Sequence, residues 1–230
     1  ANPEIPKPFK RYQIGNVWRG ERQQAGRYRE FTQAYVDIVG ASSPDADTEV
    51  IAVIYDTLKS LGLNDFVIKI NNRKILNGLP AFAGFPPKKL WGVLRTIDKT
   101  EKIGIRGREK ENSTLIGKNA AQRVEDFLQN YAKKVMTTQN LRAVSSFPEI
   151  TKVSSSPQGL SELNDVRNSL AALGMADRIL FDASMVRGLG YYTGMIFETV
   201  LTNAAGVGSI FSGGRYDDLV ERFTGQKIPA

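Results

Sequence analysis

The sequence predicts an α+β fold: an antiparallel sheet flanked by helices, with a mainly helical stretch inserted in its middle. Three observations carry this. The first residues run strand, loop, strand, helix, strand, an order that belongs to α+β domains. From about Leu76 to Ala176, apolar residues recur at helical spacing. After Gly174 the strand patterns return. The expected organisation is therefore 1–75 as a first part of the core, 76–176 as a helical insertion with few contacts to the strands, and 177–230 as the second part of the core.

The elements can be taken in order. Asn2 to Pro8 carries three prolines and reads as an extended lead-in. Arg11 to Ile14 and Val17-Trp18 read as strand, with Gly15-Asn16 as a break. A polar loop from Gly20 to Arg29 leads to a second strand, Phe31 to Val39, rich in aromatic and β-branched residues. Ser43 can cap a helix and Pro44 can open it. Val50, Ile51, Val53, Ile54, Leu58 and Leu61 then give an amphipathic helix over Asp45 to Leu61, stopped by Gly62. Phe66 to Ile70 is the next strand.

In the middle stretch, Leu90 to Lys99 reads as a short helix, and Lys99 to Lys118 is charged and poor in large apolar residues. Ala120 to Met136 is helical, with Val124, Phe127, Leu128, Tyr131 and Val135 on one stripe. Ser154 to Pro157 is a turn and cap before a helix whose face carries Leu160, Leu163, Val166, Leu170 and Leu173. Arg178 to Ala183, Met195 to Leu201 and Ile210-Phe211 read as strands. Ser212 to Leu219 follows and opens a last helix through Phe223.

Composition narrows the chemistry. The chain has 230 residues, 41% hydrophobic and 24% charged, as an ordinary globular chain does. No apolar run is long enough to span a bilayer. Ala1 to Glu4 shows neither a basic nor an apolar leader region, and the absence of cysteine fits an expected cytoplasmic location. Absence of cysteine excludes disulfides, thiolate catalysis and zinc–thiolate sites. Absence of histidine removes the commonest general base and metal ligand, leaving carboxylates, guanidiniums, ammoniums, phenols or bound ions to do any chemistry. A net charge of +7 favours polyanionic partners.

Phe9 to Gly40 concentrates Arg11, Arg19, Arg22, Arg27 and Arg29, interleaved with Tyr12, Trp18, Tyr28, Phe31 and Tyr35. Guanidinium forks suit phosphate oxygens and flat rings suit bases. The same composition also fits a charged hairpin edge that keeps a sheet soluble. Two glycine-rich segments, RGLGYYTG (Arg187 to Gly194) and SGGRYDD (Ser212 to Asp218), each combine glycines, an arginine and tyrosine. Taken alone, each reads as a tight turn. Neither carries the P-loop or dinucleotide-binding glycine spacing.

The order of these residues changes the reading. Arg19-Gly20-Glu21, Gly26 to Phe31, Gln33 and Asp37 together resemble motif 2 of the class II aminoacyl-tRNA synthetases, in its histidyl-tRNA synthetase form. RGLGYYTG resembles the histidyl-specific R-G-L-D-Y-Y signature, with Gly190 where the family usually has Asp. SGGRYDDL resembles the second histidine-binding signature, G-G-R-Y-D-x-L. The resemblance covers essentially the whole sequence.

It implies a class II synthetase-like fold and an ATP-dependent ligase: histidine is activated by ATP, expected with Mg2+, to histidyl-adenylate, and then passed to tRNA(His). By the resemblance, Arg19 holds the α-phosphate, Glu21 fixes the adenine end, Phe31 stacks on adenine and Arg27 meets the terminal phosphates. Gln33 orients the amino acid. Asp37 with Tyr192 reads the imidazole, and Tyr191 and Tyr216 line the same pocket. Arg187 stands opposite Arg19 at the α-phosphate. Catalysis by positioning and charge neutralisation needs no protein imidazole.

The same resemblance implies a catalytic-domain fragment without motif 1, motif 3 or the anticodon-binding domain. Such a fragment is expected to be inactive alone, from a parent expected to be a homodimer with no membrane attachment. Asn72 stands where relatives often carry His and is expected only to pack. The basic run Lys99, Lys102, Arg106, Arg108, Lys110 and Lys118 is a candidate for tRNA backbone contact, against a plain solvated face. Two other readings stand beside the enzyme. One is the synthetase-like regulatory paralogue that binds ATP phosphoribosyltransferase; the other is a basic RNA-binding domain. Arg19, Glu21 and Arg187 favour the enzyme.

Overall fold

Strands β1 (Phe9–Trp18) and β2 (Glu30–Val39) form an antiparallel hairpin that stands apart from the main sheet. The computed structural model describes residues 5–20, 28–137, 156–187 and 190–230. The expected break at Gly15-Asn16 is absent. β1 runs through it, because Gly15 pairs with Gln33 and the Asn16 amide ties itself to Glu30 and Thr32 across the ladder, each at 3.1 Å.

The main sheet has four strands in the order β4-β3-β5-β6: β3 (Phe66–Asn72), β4 (Ile179–Phe181), β5 (Met195–Leu201) and β6 (Ser209–Gly214). β3 and β6 pair antiparallel to β5, whereas β4 pairs parallel to β3. The sheet is therefore mixed, and β4 is shorter than Arg178 to Ala183. β6 is longer than expected. Gly213 and Gly214 lie in the strand, paired with Phe197 and Ile196 of β5, and 213 must be glycine because a Cβ there would stand 2.3 Å from the Phe197 ring.

Helix α1 (Pro44–Ser60) starts where Ser43 accepts from the Asp45 backbone N–H and buries Thr48, Ile51, Ile54 and Leu58. Past its end, Gly62 takes a positive φ of 76° that a side chain would resist. Short helices α2 (Arg73–Leu76) and α3 (Leu79–Ala83) follow β3. Then come α4 (Leu90–Asp98), α5 (Thr100–Ile116), α6 (Lys118–Thr137) and α7 (Ser156–Ala172). Helix α8 (Leu219–Thr224) follows β6. The charged stretch after Lys99 is thus helical too, bent at Gly104 where φ is 71°. Among the described residues no helix is long and apolar enough to cross a membrane.

The helical middle does not keep to itself. Leu160, Leu163, Val166 and Leu170 of α7 are buried against α1, α2 and β3, and one apolar cluster runs from Ile51 through Phe66 and Ile70 to Val93, Val124 and Leu163. The expectation of few contacts between 76–176 and the strands fails here, because the α7 stripe covers a sheet face that would otherwise be wet. Leu173 is not part of that stripe. It lies past the helix end and is exposed.

Two polar residues are also placed otherwise than expected. Asn72 does more than pack: its side-chain Oδ1 accepts from the Lys74 N–H to cap α2, and its Nδ2 donates to Glu162 at 2.8 Å. Arg108 does not offer its charge to tRNA. It is 5% exposed and forks onto Glu125 of α6, with a third bond to Thr100. Lys99, Lys102, Arg106, Lys110 and Lys118 do face solvent.

Candidate functional site

Side chains alternate across a strand, so Phe31, Gln33, Tyr35 and Asp37 share one face of β2. Pairing sets Val17, Gly15, Gln13 and Arg11 beside them in turn. Arg19, just past β1, joins this row. Its guanidinium lies 4.7 Å from the Phe31 ring centre and donates to Gln33 Oε1 at 3.2 Å. Opposite Gln33, Gly15 has no side chain, and nothing stands within 4 Å of where its Cβ would be. The row therefore reads cation, ring, amide with open space opposite it, second ring (Tyr35), carboxylate.

Both oxygens of that carboxylate are engaged. Arg11 Nε donates to Asp37 Oδ2 at 2.8 Å, and the Tyr216 hydroxyl donates to Oδ1 at 2.7 Å. Burial pushes the Tyr216 phenol up, and the bond to Asp37 adds to it. Tyr216 is thus a fixed neutral donor. It reaches the hairpin because its own backbone follows β6 and its N–H donates to the Ala230 carbonyl, while Gly40 N–H donates to Pro229.

A second group comes from the segment before β5. Tyr191 and Tyr192 meet edge to face with ring centres 4.4 Å apart. Tyr192 packs against the apolar cluster, and burial raises its phenol, with Tyr191 and Tyr216 adding and Arg187 opposing. Its ring has room because residue 214 is glycine: a Cβ there would come within 3.1 Å of Tyr192 Cδ1 and 2.6 Å of the Met195 carbonyl. Arg187 is ion-paired with Glu198, which points from β5 on the same sheet face as Lys69. Lys69 in turn pairs with Asp182 at 3.5 Å.

Arg215 lies between the two groups and is buried. It donates through Nε and Nη2 to Asp47 Oδ2 at 3.2 and 3.0 Å, through Nη2 to Ser43 O, and through Nη1 to Ala41 O and Asp217 Oδ1. Asp217 Oδ2 accepts from the Thr193 hydroxyl at 2.9 Å, and Thr193 N–H donates to the Arg215 carbonyl at 2.8 Å. Burial raises Asp47 to about 6 against the pull of Arg215. Burial alone would lower Arg215, but Asp47 and Asp217 raise it.

Of the residues singled out from sequence, Arg19, Phe31, Gln33 and Asp37 share the hairpin face, and Tyr216 reaches it. Tyr191, Tyr192 and Arg187 form the neighbouring group. Glu21 and Arg27 lie outside the described residues. Sequence reasoning missed the partners: Arg11 on Asp37, Glu198 on Arg187, and Asp47, Thr193 and Asp217 around Arg215. Arg11 was within reach of a hairpin register; the others pair across distances that no local pattern signals.

The sequence profile of the histidyl-tRNA synthetase family matches residues 2–230. The chain belongs to the histidyl-tRNA synthetase family. A histidine–tRNA ligase of Clostridium tetani is 41% identical over 226 residues, covering 96% of this chain and 50% of the relative. One of Gloeobacter violaceus is 42% identical, covering 98% and 48%. The crystal structure of histidyl-tRNA synthetase from Nostoc sp. PCC 7120 superposes with a TM-score of 0.84 at 33% identity, over 99% of this chain and 52% of that one. The chain thus spans about half the length of the relatives it matches. The same fold, at a TM-score of 0.77 and 23% identity, occurs in a Bacillus halodurans protein described as an ATP phosphoribosyltransferase regulatory subunit/histidyl-tRNA synthetase.

Proposed function

We propose that this chain is the histidine- and ATP-binding part of a histidine–tRNA ligase that forms histidyl-adenylate and transfers the histidyl group to tRNA(His). The observation that carries the reading is Asp37, held by Arg11 and Tyr216 on the hairpin face that also carries Arg19 and Phe31. A ligand with an imidazole at one end and a nucleotide at the other fits such a row. Family membership supports the same substrates.

In this reading an oxygen of the histidine carboxylate attacks the α-phosphorus of ATP. The bond to the β-phosphate bridge oxygen breaks, and pyrophosphate leaves. A hydroxyl of the tRNA terminal ribose then attacks the histidyl carbonyl and AMP leaves. Arg19 and Arg187 neutralise charge at the α-phosphate, Arg27 and Glu21 act at the two ends of ATP, and Phe31 offers its ring to adenine. Gln33 orients the amino acid. Asp37 accepts from one imidazole nitrogen, and the phenols of Tyr192 and Tyr216, with Tyr191 behind them, complete the pocket. Burial holds the phenols of Tyr192 and Tyr216 in their neutral, donating form.

Mg2+ is proposed to arrive with the nucleotide. Among the described residues no group of three or more acidic side chains could cage a cation. The site carboxylates are committed instead: Asp37 to Arg11 and Tyr216, Glu198 to Arg187. That suits an ion held mainly by phosphate oxygens. A homodimeric, cytoplasmic parent without membrane attachment completes the proposal.

The test is histidine-dependent exchange of pyrophosphate into ATP by the full-length protein. Exchange with histidine and with no other amino acid is expected. Histidine binding without exchange would instead favour a regulatory subunit of ATP phosphoribosyltransferase, and binding of RNA alone would favour the plain basic domain.

A further inference from the structure

We infer that Arg215 is a positioning residue for histidine recognition: it locks together the three chain segments that carry Asp37, Tyr192 and Tyr216. The inference rests on the pocket reading above and goes beyond it, because Arg215 touches none of the proposed substrate groups.

The geometry is specific. The first segment is the turn from β2 into α1, just beyond Asp37; Arg215 binds its Ala41 and Ser43 carbonyls and the Asp47 carboxylate at the start of α1. The second is the stretch carrying Tyr191 and Tyr192. Thr193 follows them directly, donating its N–H to the Arg215 carbonyl and its hydroxyl to Asp217, which Arg215 also holds. The third is Tyr216 itself, the next residue in the chain, whose hydroxyl reaches Asp37. The three segments come from distant parts of the sequence, with Arg215 and Asp47 168 residues apart. The guanidinium closes a ring through two of them, from Arg215 to the turn after β2, back along β2 to Asp37, and through Tyr216 to Arg215; the Tyr192 segment is tied to this ring by Thr193, through the Arg215 carbonyl and Asp217.

Chemistry makes arginine the fitting residue. Its rigid fork presents donors in several fixed directions at once, and here three nitrogens are used on two carboxylates and two carbonyls. A lysine offers a single point of donation and cannot hold turn, helix and Asp217 together. Buried ion pairs are poor sources of stability but good sources of a unique arrangement. The side chain is 7% exposed, so the arrangement is not a surface accident. An imidazole read from both nitrogens needs its carboxylate and phenol at a fixed separation, and loosening any one segment spoils that separation.

The experiment is pyrophosphate exchange by the full-length protein, with KM for histidine and for ATP measured separately, in a double-mutant cycle of Arg215→Lys and Tyr216→Phe. Arg215→Lys is expected to raise the histidine KM at least about tenfold and to leave the ATP KM within about twofold. In the Tyr216→Phe background the same substitution should cost less than about threefold, because the strut it supports is already gone. Equal penalties in the two backgrounds, or a parallel rise of both KM values, would overturn the inference. If Arg215→Lys does not fold, Asp47→Asn and Thr193→Ala each remove one strut, and either can take its place in the cycle with the same outcomes expected. Asp37→Asn separates the two claims. An unchanged histidine KM there removes the pocket reading and this inference with it; a raised KM beside additive Arg215 and Tyr216 effects removes the inference alone.

Discussion

The hydroxyl of Tyr216 meets Oδ1 of Asp37 at 2.7 Å, across 179 residues of sequence. This bond joins the hairpin to the end of the main sheet, beside the pocket proposed for the imidazole. Removing it by Tyr216→Phe deletes a donor to a charged acceptor, worth roughly 1.5–3 kcal/mol. The histidine KM in pyrophosphate exchange should rise by about ten- to a hundredfold, with the ATP KM nearly unchanged. An ATP KM that rises equally would move Tyr216 out of the histidine pocket.

Arg187 is ion-paired with Glu198. If Arg187 meets the α-phosphate as proposed, Arg187→Ala should lower kcat for adenylate formation about a hundredfold or more. Glu198→Gln keeps a carbonyl acceptor but loses the charge. It should lower kcat by less, with histidine affinity retained. Single-turnover adenylate formation measures both. A Glu198→Gln enzyme of normal kcat would show that the Glu198 charge does not orient Arg187.

Asp47 sets a pH dependence of stability. Its folded pKa is raised from 3.8 to about 6, chiefly by burial, with Glu162 and Asp217 adding to the rise and Arg215 opposing it. The folded state therefore holds a proton that the unfolded chain has released between these values. This contribution to stability is fully present below the unfolded pKa and is lost as pH rises through about 6, by on the order of 3 kcal/mol. Chemical denaturation of wild type and Asp47→Asn across pH 3.5 to 7.5 isolates it. The stability of the variant relative to wild type should climb with pH over that window and then level off. A constant difference would mean that Asp47 titrates alike in both states.

Arg108 and the exposed cations of α5 make opposite predictions. Arg108→Met leaves Glu125 buried and unpaired, which should cost about 3–5 kcal/mol and lower Tm without a specific effect on tRNA. Neutralising Lys99, Lys102, Arg106 and Lys110 together should leave Tm and adenylate formation nearly unchanged and raise the tRNA KM. An unaltered tRNA KM would make that surface a plain solvated face.

Gly213 and Gly214 sit side by side in β6 but guard different neighbours. An added methyl at 214 meets the Met195 carbonyl and the Tyr192 ring; at 213 it meets Phe197. Both alanine variants should lose about 1–3 kcal/mol. Only Gly214→Ala should also raise the histidine KM, because only it displaces Tyr192. Equal effects on KM would show that β6 moves as a unit.

Where the sequence carried its own boundaries, structure and reading agree. Ser43 and Pro44 start α1, Gly62 follows its end, and the apolar run Met195–Leu201 is β5 to the residue. The α+β class and the strand at Phe31 to Val39 follow from local pattern alone, whereas the class II form came from the family resemblance. Features that depend on distant partners did not show. Gly15 looks like a break until its pairing with Gln33 is known. Arg108 looks like a surface cation until α6 brings Glu125 to it. Arg215 reads as one letter of a motif, because Asp47 and the carbonyls that fix it lie in another part of the chain. Periodicity reports which face an element buries, whereas a polar network is written in residues that meet only after folding.

The separation of the hairpin from the four-stranded sheet has a kinetic consequence. No ladder hydrogen bond joins the two among the described residues; the links are side-chain bonds and the carbonyls of Pro229 and Ala230. Backbone amides of β1 and β2 can therefore open as a unit while β3 and β5 stay closed, giving two sets of deuterium uptake rates in one molecule. A ligand bridging Asp37 and Tyr192 would slow uptake in the hairpin and leave the sheet unaffected. That difference would report occupancy of the pocket in the absence of any turnover.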